Sequence, residues 1–146
     1  MVTGNTGLEL ATVAGNFAFR FSGYAMPSAR PYYLTGLGQF IIDVNGSLTG
    51  THRTAIMPIQ GQGAKLTTGA YQLKGTINVR MDGTGEASIL FTRTGGSGSG
   101  LDVKGEFYVS LAGNVDRLWF ISSGAVVPQT GEGAEELVNL EAVRTA

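Results

Sequence analysis

Apolar and polar residues alternate with a period of two along most of this chain, which is the pattern of half-buried β-strands. In NFAFRFSG, for example, Phe17, Phe19 and Phe21 share one face, while Ala18 and Arg20 lie on the other. Six further segments alternate in a similar way: YLTGLGQFIID, SLTGTHRTAIM, GAYQLKGTINVR, TGEASILFTR, LDVKGEFYVSLA and RLWFISSGAV. The pattern therefore predicts an all-β domain with at least seven strands.

The last segment, AEELVNLEAVR, is compatible with two kinds of secondary structure. Its Glu, Leu and Ala content is typical of a helix from Glu135 to Arg144, yet Val138, Leu140 and Ala142 also alternate. We predict an eighth strand, because seven strands would leave two open sheet edges.

Tight turns set the pairing of neighbouring strands. In DVNGS, a type I turn with Gly46 in the left-handed conformation pairs Asp43 with Ser47 and places Ile42 beside Leu48. A two-residue loop would place an apolar residue beside a polar one, so we reject it. The same construction in RMDGT predicts a second hairpin, and GNVD predicts a third.

The connections between strands alternate in length. Short turns follow the second, fourth and sixth strands, whereas AMPSARPY, PIQGQGAKLTT, TGGSGSG and PQTGEGAE follow the others. We therefore predict an eight-stranded antiparallel up-and-down β-barrel spanning residues 15–146, with short turns at one end and longer loops at a mouth. Residues 1–14 form a separate N-terminal segment, and a two-sheet sandwich is the alternative fold.

The segments GNFAFRFSG, GQFIIDVNGSLTG and GAYQLKGTINVRMDGTGEASI resemble small bacterial barrels of the calycin type and the barrels of allene oxide cyclase and dirigent proteins. The resemblance runs from Gly15 to Val143 and rests on strand alternation and turn chemistry. It implies a barrel that binds a small apolar molecule, which some members of these families cyclise or isomerise. It implies no catalytic residue, because no catalytic motif of these families is present.

The predicted registers place many apolar residues and several glycines inside the barrel. The inward glycines either leave a cavity among aromatic walls or relieve crowding where strands coil sharply. The residues predicted to contact a ligand are those that line this interior: Phe19, Phe21, Phe40, Thr54, Leu73, Phe91, Phe107, Phe120 and Ser122.

Three inward polar residues on neighbouring strands are the candidate catalytic group. His52 is suited to general acid–base chemistry near neutral pH, and the guanidinium of Arg93, predicted to lie opposite Tyr71, can hold an anion. The structural alternative is that Arg93 stacks on Tyr71 at the rim, with His52 as a hydrogen-bonded core residue. The segment around PSARPYY, with Tyr24, Met26, Arg30, Tyr32 and Tyr33, is either a lid over the mouth or a packed loop.

Composition narrows the choice of partners. The 146 residues carry 14% charged side chains and a net charge of −1, without a basic stripe, so we expect no nucleic-acid partner. With no Cys and one His, we expect no metal and no cofactor. We also expect no membrane span, because no apolar run is long enough. The first residues lack a signal-peptide pattern, which favours a cytoplasmic protein; a mature secreted domain is the alternative.

Three functional classes fit these observations. The first is a barrel that binds a small apolar or amphipathic molecule, and the second is a cofactor-free cyclase or isomerase acting in the same cavity. The third is a structural subunit whose interior is filled by its own side chains.

The outer face is expected to carry an interface. The seventh strand turns Trp119 and Ile121 outward, beside Tyr108, and the second strand turns Tyr33, Leu37 and Ile41 outward. Contiguous exposed apolar residues usually mark an interface, so we predict a homo-oligomer, either a dimer or a trimer. The alternatives are an inverted register, with Trp119 in the core, or coverage by the segment GLELATV.

Overall fold

Strands account for most of the residues placed in the computed structural model, which describes residues 13–25, 31–59, 65–97, 102–113, 116–133 and 136–145. Apart from Val13, whose backbone is helical, every described residue in a regular element belongs to a strand. The strands are β1 Gly15–Ala25, β2 Tyr32–Ile42, β3 Ser47–Pro58, β4 Thr67–Val79, β5 Thr84–Gly95, β6 Val103–Ala112, β7 Arg117–Val127, β8 Glu132–Gly133 and β9 Glu136–Arg144.

The eight long strands form one closed antiparallel barrel in up-and-down order. Each pairs with its neighbour in the chain, β9 closes on both β7 and β1, and the two-residue β8 pairs only with the end of β7. The predicted fold is therefore confirmed, and the two-sheet sandwich is wrong. The C-terminal helix is also wrong, because Glu136–Arg144 is the strand that closes the barrel.

Two of the three predicted turns form as expected, whereas Asn114 and Val115 of the third lie outside the described residues. Gly46 and Gly83 have φ angles of 86° and 89°, in the left-handed region that favours glycine. The Asp43 N–H donates to the Ser47 carbonyl at 3.0 Å, and Ile42 pairs with Leu48 as the turn requires. The strand ends that the short turns join lie at one end of the barrel, and the strand ends that the longer connections join lie at the other, which we call the mouth.

The end with the short turns is filled by side chains. Val13, just before β1, is completely buried and belongs to the hydrophobic core. The largest side chains that are less than 2% exposed are concentrated in this half of the barrel: Val13, Phe17, Phe40, Ile42, Leu48, Val79, Ile89, Leu118 and Phe120. Residues 1–12 of the predicted N-terminal segment lie outside the described residues.

The inward glycines allow strands to approach closely. A Cβ on Gly75 would collide with the carbonyl oxygen of Ser88 and lie 2.8 Å from the Cα of Ile89. A Cβ on Gly36 would lie 2.5 Å from the ring of Phe21. Neighbouring backbone and rings occupy the space beside these two glycines, which favours relief of crowding over the formation of a cavity.

Two β-bulges interrupt the regular ladders near the mouth. Tyr71 pairs with Arg93 whereas Ala70 pairs with Gly95, so Thr94 is the extra residue on β5. In the β6–β7 pair, Ser123 is the extra residue, because Phe107 pairs with Ser122 and Glu106 with Gly124. Bulges bend a strand and re-aim its side chains.

The predicted outward residues lie on the outer face of the barrel. Trp119 is 53% exposed, Ile121 50% and Tyr108 59%, and Tyr108 pairs directly with Ile121. The inverted register with Trp119 in the core is therefore wrong. Residues 7–12 of the proposed covering segment lie outside the described residues.

Candidate functional site

The three candidate catalytic residues lie along one row of paired strands. His52 on β3 pairs with Tyr71 on β4, and Tyr71 pairs with Arg93 on β5. The ring centroids of His52 and Tyr71 are 4.9 Å apart. A Cβ on Gly69 would lie 3.4 Å from both the Tyr71 hydroxyl and the Arg93 Nη1 atom. The structure thus brings the predicted trio together.

The imidazole of His52 is surrounded by aromatic rings. Besides Tyr71, the rings of Phe21, Phe91 and Phe19 have centroids 5.1, 5.3 and 6.1 Å from it. Because burial penalises the charged form, the pKa of His52 falls from 6.5 to about 4. The imidazole is therefore neutral at pH 7, with one nitrogen that donates a hydrogen bond and one that accepts.

The polar atoms of His52 and Thr54 are buried without a hydrogen-bond partner. Among the described residues, His52 Nδ1, His52 Nε2 and Thr54 Oγ1 have no partner, and both residues are only 7% exposed. The alternative prediction, that His52 is a hydrogen-bonded core residue, is therefore wrong for the described residues. Such groups usually find a partner, since each unpaired buried group costs about 1–3 kcal/mol.

Most of the predicted ligand-binding residues belong to one ring of aromatic contacts around the barrel wall. Starting at His52, the contacts run through Phe91, Phe107, Phe120, Phe40 and Phe19 and return to His52, with centroid separations from 5.3 to 6.3 Å. Phe21 joins this ring through Phe19 and His52, and Leu73 is buried in the same core.

Two residues at the mouth were not among the predicted site residues. Glu136, the first residue of β9, is half-buried, and burial raises its carboxyl pKa to about 6. The phenol of Tyr32 packs against the core, and its pKa is raised by burial and then by the charges of Glu136 and Tyr71. The Tyr32 phenol is therefore influenced by one residue of β9 and one residue of β4, both in the mouth half of the barrel.

The sequence indicates the positions of these two residues only indirectly: Glu136 through strand alternation and Tyr32 through the segment proposed as a lid. Glu136 continues the inward alternation of Val138, Leu140 and Ala142, so a strand reading of this segment already pointed it into the barrel. Of the five residues of the proposed lid, Tyr24, Tyr32 and Tyr33 belong to strands, whereas Met26 and Arg30 lie outside the described residues.

Arg93 is positioned at the rim by the loop that follows β5. Its backbone N–H donates to the Asp102 carboxylate at 3.0 Å, across the connection to β6. It lies two residues before the end of β5, whereas His52 lies six residues before the end of β3. The guanidinium is therefore near the mouth, and the imidazole is deeper in the barrel.

The hydroxyl of Ser122 forms hydrogen bonds with the backbone of β9, so it has a structural role at this position. This hydroxyl accepts a hydrogen bond from the Val138 N–H at 2.8 Å and lies 3.4 Å from the Val138 carbonyl oxygen. Regular pairing between β7 and β9 stops at Ile121 and Asn139, so the side chain of Ser122 replaces backbone hydrogen bonds where these strands separate.

A concave region of about 460 Å³ lies over β2, β3 and β4, but it does not include His52. Its lining includes the exposed residues Leu37 and Arg53, the glycines Gly36 and Gly69, and the buried Thr54. The concave region therefore shares Thr54 with the group of polar residues inside the barrel.

Two further properties concern metals and membranes. Among the described ranges, no three His, Asp or Glu side chains gather closely enough to hold a metal ion. The same ranges contain no helix with the length and apolar character of a membrane span.

Comparisons with known proteins identify no family. No protein-family model matches the chain, and no curated protein matches it significantly. Among solved structures, it is similar to the crystal structure of Rv2717c from M. tuberculosis, with 15% identity and a TM-score of 0.39, over 99% of this chain and 100% of that one. The resemblance to calycin-type and allene oxide cyclase barrels stays a prediction.

Proposed function

We propose that the barrel binds a small apolar or amphipathic molecule in the mouth half of its interior. The observation that carries this proposal is the set of unpaired polar atoms on His52 and Thr54, buried among aromatic rings. A purely structural core gains nothing from such groups, because apolar residues of the same shape would avoid their desolvation cost. A bound molecule with a hydrogen-bonding group would satisfy them.

The mouth half is the part of the interior that can accommodate a ligand. Tyr32, Tyr71, Phe91, Arg93 and Glu136 are all only partly buried, in contrast to the packed side chains at the other end. The nitrogens of His52 are shielded from solvent. Binding therefore requires these mouth side chains to rotate, which partly exposed residues do readily.

A fluorescent apolar probe tests this proposal. We expect N-phenyl-1-naphthylamine to bind at about one site per chain, with enhanced fluorescence in the apolar interior. Phe91→Ala, which changes the interior wall, should alter the affinity at least several-fold. Tyr108→Ala removes a ring from the outer face and is the matched control that should leave binding unchanged.

The opposite results would contradict the proposal. Sensitivity to Tyr108→Ala with indifference to Phe91→Ala would place the probe outside the barrel. Complete absence of binding would favour a structural barrel whose interior is filled by its own side chains.

A cofactor-free cyclase or isomerase in the same cavity is the second candidate. It is favoured by the convergence of a neutral imidazole, a phenol and a guanidinium along one row of the barrel. General acid–base catalysis by His52 predicts that His52→Ala lowers turnover by about a hundredfold or more. Tyr71→Phe and Arg93→Ala should weaken binding, turnover or both, and unchanged turnover in all three variants would exclude this trio.

We also infer that the chain forms a homo-oligomer, a dimer or a trimer. The support is the exposed patch of Tyr108, Trp119 and Ile121 on β6 and β7, because large exposed aromatic residues often carry the energy of an interface.

A further inference from the structure

We propose that the molecule bound by the barrel is uncharged and enters polar end first, so that a hydroxyl or carbonyl group pairs with His52 and Thr54. This inference rests on the binding function proposed above and specifies the chemical class of the ligand and its direction.

The hydrogen-bonding capacity of the two residues matches an uncharged polar group. A neutral imidazole offers one donor and one acceptor, and the Thr54 hydroxyl can act as either. The two residues face the same way on β3 and are two positions apart, which is about 7 Å along the strand. A ligand hydroxyl between their side chains can therefore accept from one and donate to the other, whereas a carbonyl can accept from both.

The surroundings disfavour a charged group at this depth. The rings of Phe21, Phe91 and Tyr71 exclude water from the imidazole, and the same burial lowers the pKa of His52 to about 4. A carboxylate or ammonium brought to this depth would face the same desolvation cost. Arg93 and Glu136, two ionisable residues at the mouth, lie nearer the strand ends than His52 does.

Packing determines the direction of entry. Below His52 the interior is filled by side chains such as Phe17, Phe40 and Leu48, which are at most 2% exposed. The apolar part of the ligand must therefore extend from His52 toward the mouth. Six residues separate His52 from the end of β3, roughly 20 Å along the tilted strand, which is enough for a chain of about eight carbons.

Three probes of equal chain length test the proposal: 1-octanol, octanoate and octylammonium. His52 is the only histidine, so its ring nitrogen signals can be followed without ambiguity by ¹⁵N nuclear magnetic resonance, with affinities measured by calorimetry. We expect octanol to shift the ring signals and to bind at least tenfold more tightly than either charged probe. Thr54→Val should weaken octanol binding several-fold, whereas Thr51→Val, an outward control on the same strand, should not.

His52→Phe provides a second test, because it keeps an aromatic ring and removes both nitrogens. It should weaken octanol binding about tenfold, which corresponds to the loss of one good hydrogen bond. Equal or tighter binding of octanoate or octylammonium would overturn the uncharged ligand while leaving the binding function intact, as would octanol binding without any shift of the His52 signals. Failure of all three probes and of the fluorescent probe would overturn the binding function itself.

Discussion

His52 illustrates how a residue can reduce stability at a site suited to binding. Its neutral ring packs against four aromatic neighbours, so its apolar contacts are favourable, yet both nitrogens lack a hydrogen-bond partner in the described structure. Replacing such a group with an apolar residue of similar shape is often neutral or stabilising. Higher stability together with weaker binding would therefore distinguish a functional histidine from a structural one.

The pH dependence of stability follows from the lowered pKa of His52. Above pH 6.5 the ring is neutral in both the folded and the unfolded chain, so it contributes no dependence. As the pH falls from 6.5 to about 4, only the unfolded chain takes up the proton, and the folded state loses relative stability.

We therefore expect His52→Phe to raise the free energy of unfolding, and to do so by about 3 kcal/mol more at pH 4 than at pH 7.5. Chemical denaturation of both proteins across this range measures the difference, and the opposing titration of Glu136 cancels in the comparison. A constant difference between the two proteins at every pH would mean that the imidazole titrates normally and is not desolvated.

At the scale of the strand, glycines decide how closely neighbouring backbones can approach. Gly75 is the sharpest case, because a Cβ there would collide with the backbone of β5. Gly95, on β5, has no heavy atom within 4 Å of the position that its Cβ would take. The two glycines, on neighbouring strands, therefore allow a crowded position to be compared with an open one.

We expect Gly75→Ala to destabilise the barrel by about 1–3 kcal/mol or more, as overpacking does, whereas Gly95→Ala should be neutral or slightly stabilising. Thermal unfolding of the two variants measures the contrast. If Gly75→Ala were as stable as the wild type, the space beside Gly75 would be open, and the glycine would contribute to a cavity instead.

The junction between β7 and β9 depends on a side chain where the backbone ladder stops. Ser122→Ala leaves the Val138 N–H without its partner, so we expect a loss of about 1–3 kcal/mol in unfolding free energy. Ser123→Ala, at the exposed bulge position, is the control and should change stability little. Amide hydrogen exchange at Val138 should accelerate in the first variant and not in the second. Equal exchange in both variants would show that water replaces the hydroxyl without cost.

At the scale of the whole molecule, the eight long strands close into one barrel, and association through side chains of the outer wall leaves its backbone ladders intact. The patch of Tyr108, Trp119 and Ile121 is the candidate surface.

Sedimentation velocity tests the proposed assembly. We expect the wild type to be a dimer or trimer at micromolar concentration and Trp119→Glu to be a folded monomer, because a charge at the centre of an apolar interface is strongly disfavoured. Arg53→Glu, on the outer face of β3, is a control that adds acidic charge on the opposite side of the barrel from this patch. A monomeric wild type, or an oligomer unaffected by Trp119→Glu, would exclude this interface.

The sequence by itself determined the number of long strands, the registers of the hairpins closed by tight turns and the face on which most residues lie. These features follow from local rules: alternation assigns each residue to a face, and the turns around Gly46 and Gly83 set the pairing, because only one loop length aligns the apolar faces. The pairing of Tyr71 with Arg93 was predictable for the same reason, whereas the pairing of His52 with Tyr71 spans the longer connection between β3 and β4.

Only the tertiary structure decided how the barrel closes and what its interior groups contact. The pairing of β9 with both β1 and β7 is non-local, and so is the separation of strands that Ser122 bridges. The unpaired nitrogens of His52 and the effect of Glu136 on the pKa of Tyr32 likewise depend on strands far apart in the chain. Burial and hydrogen bonding are properties of these assembled neighbours, whereas alternation and turn chemistry are written into a few consecutive residues.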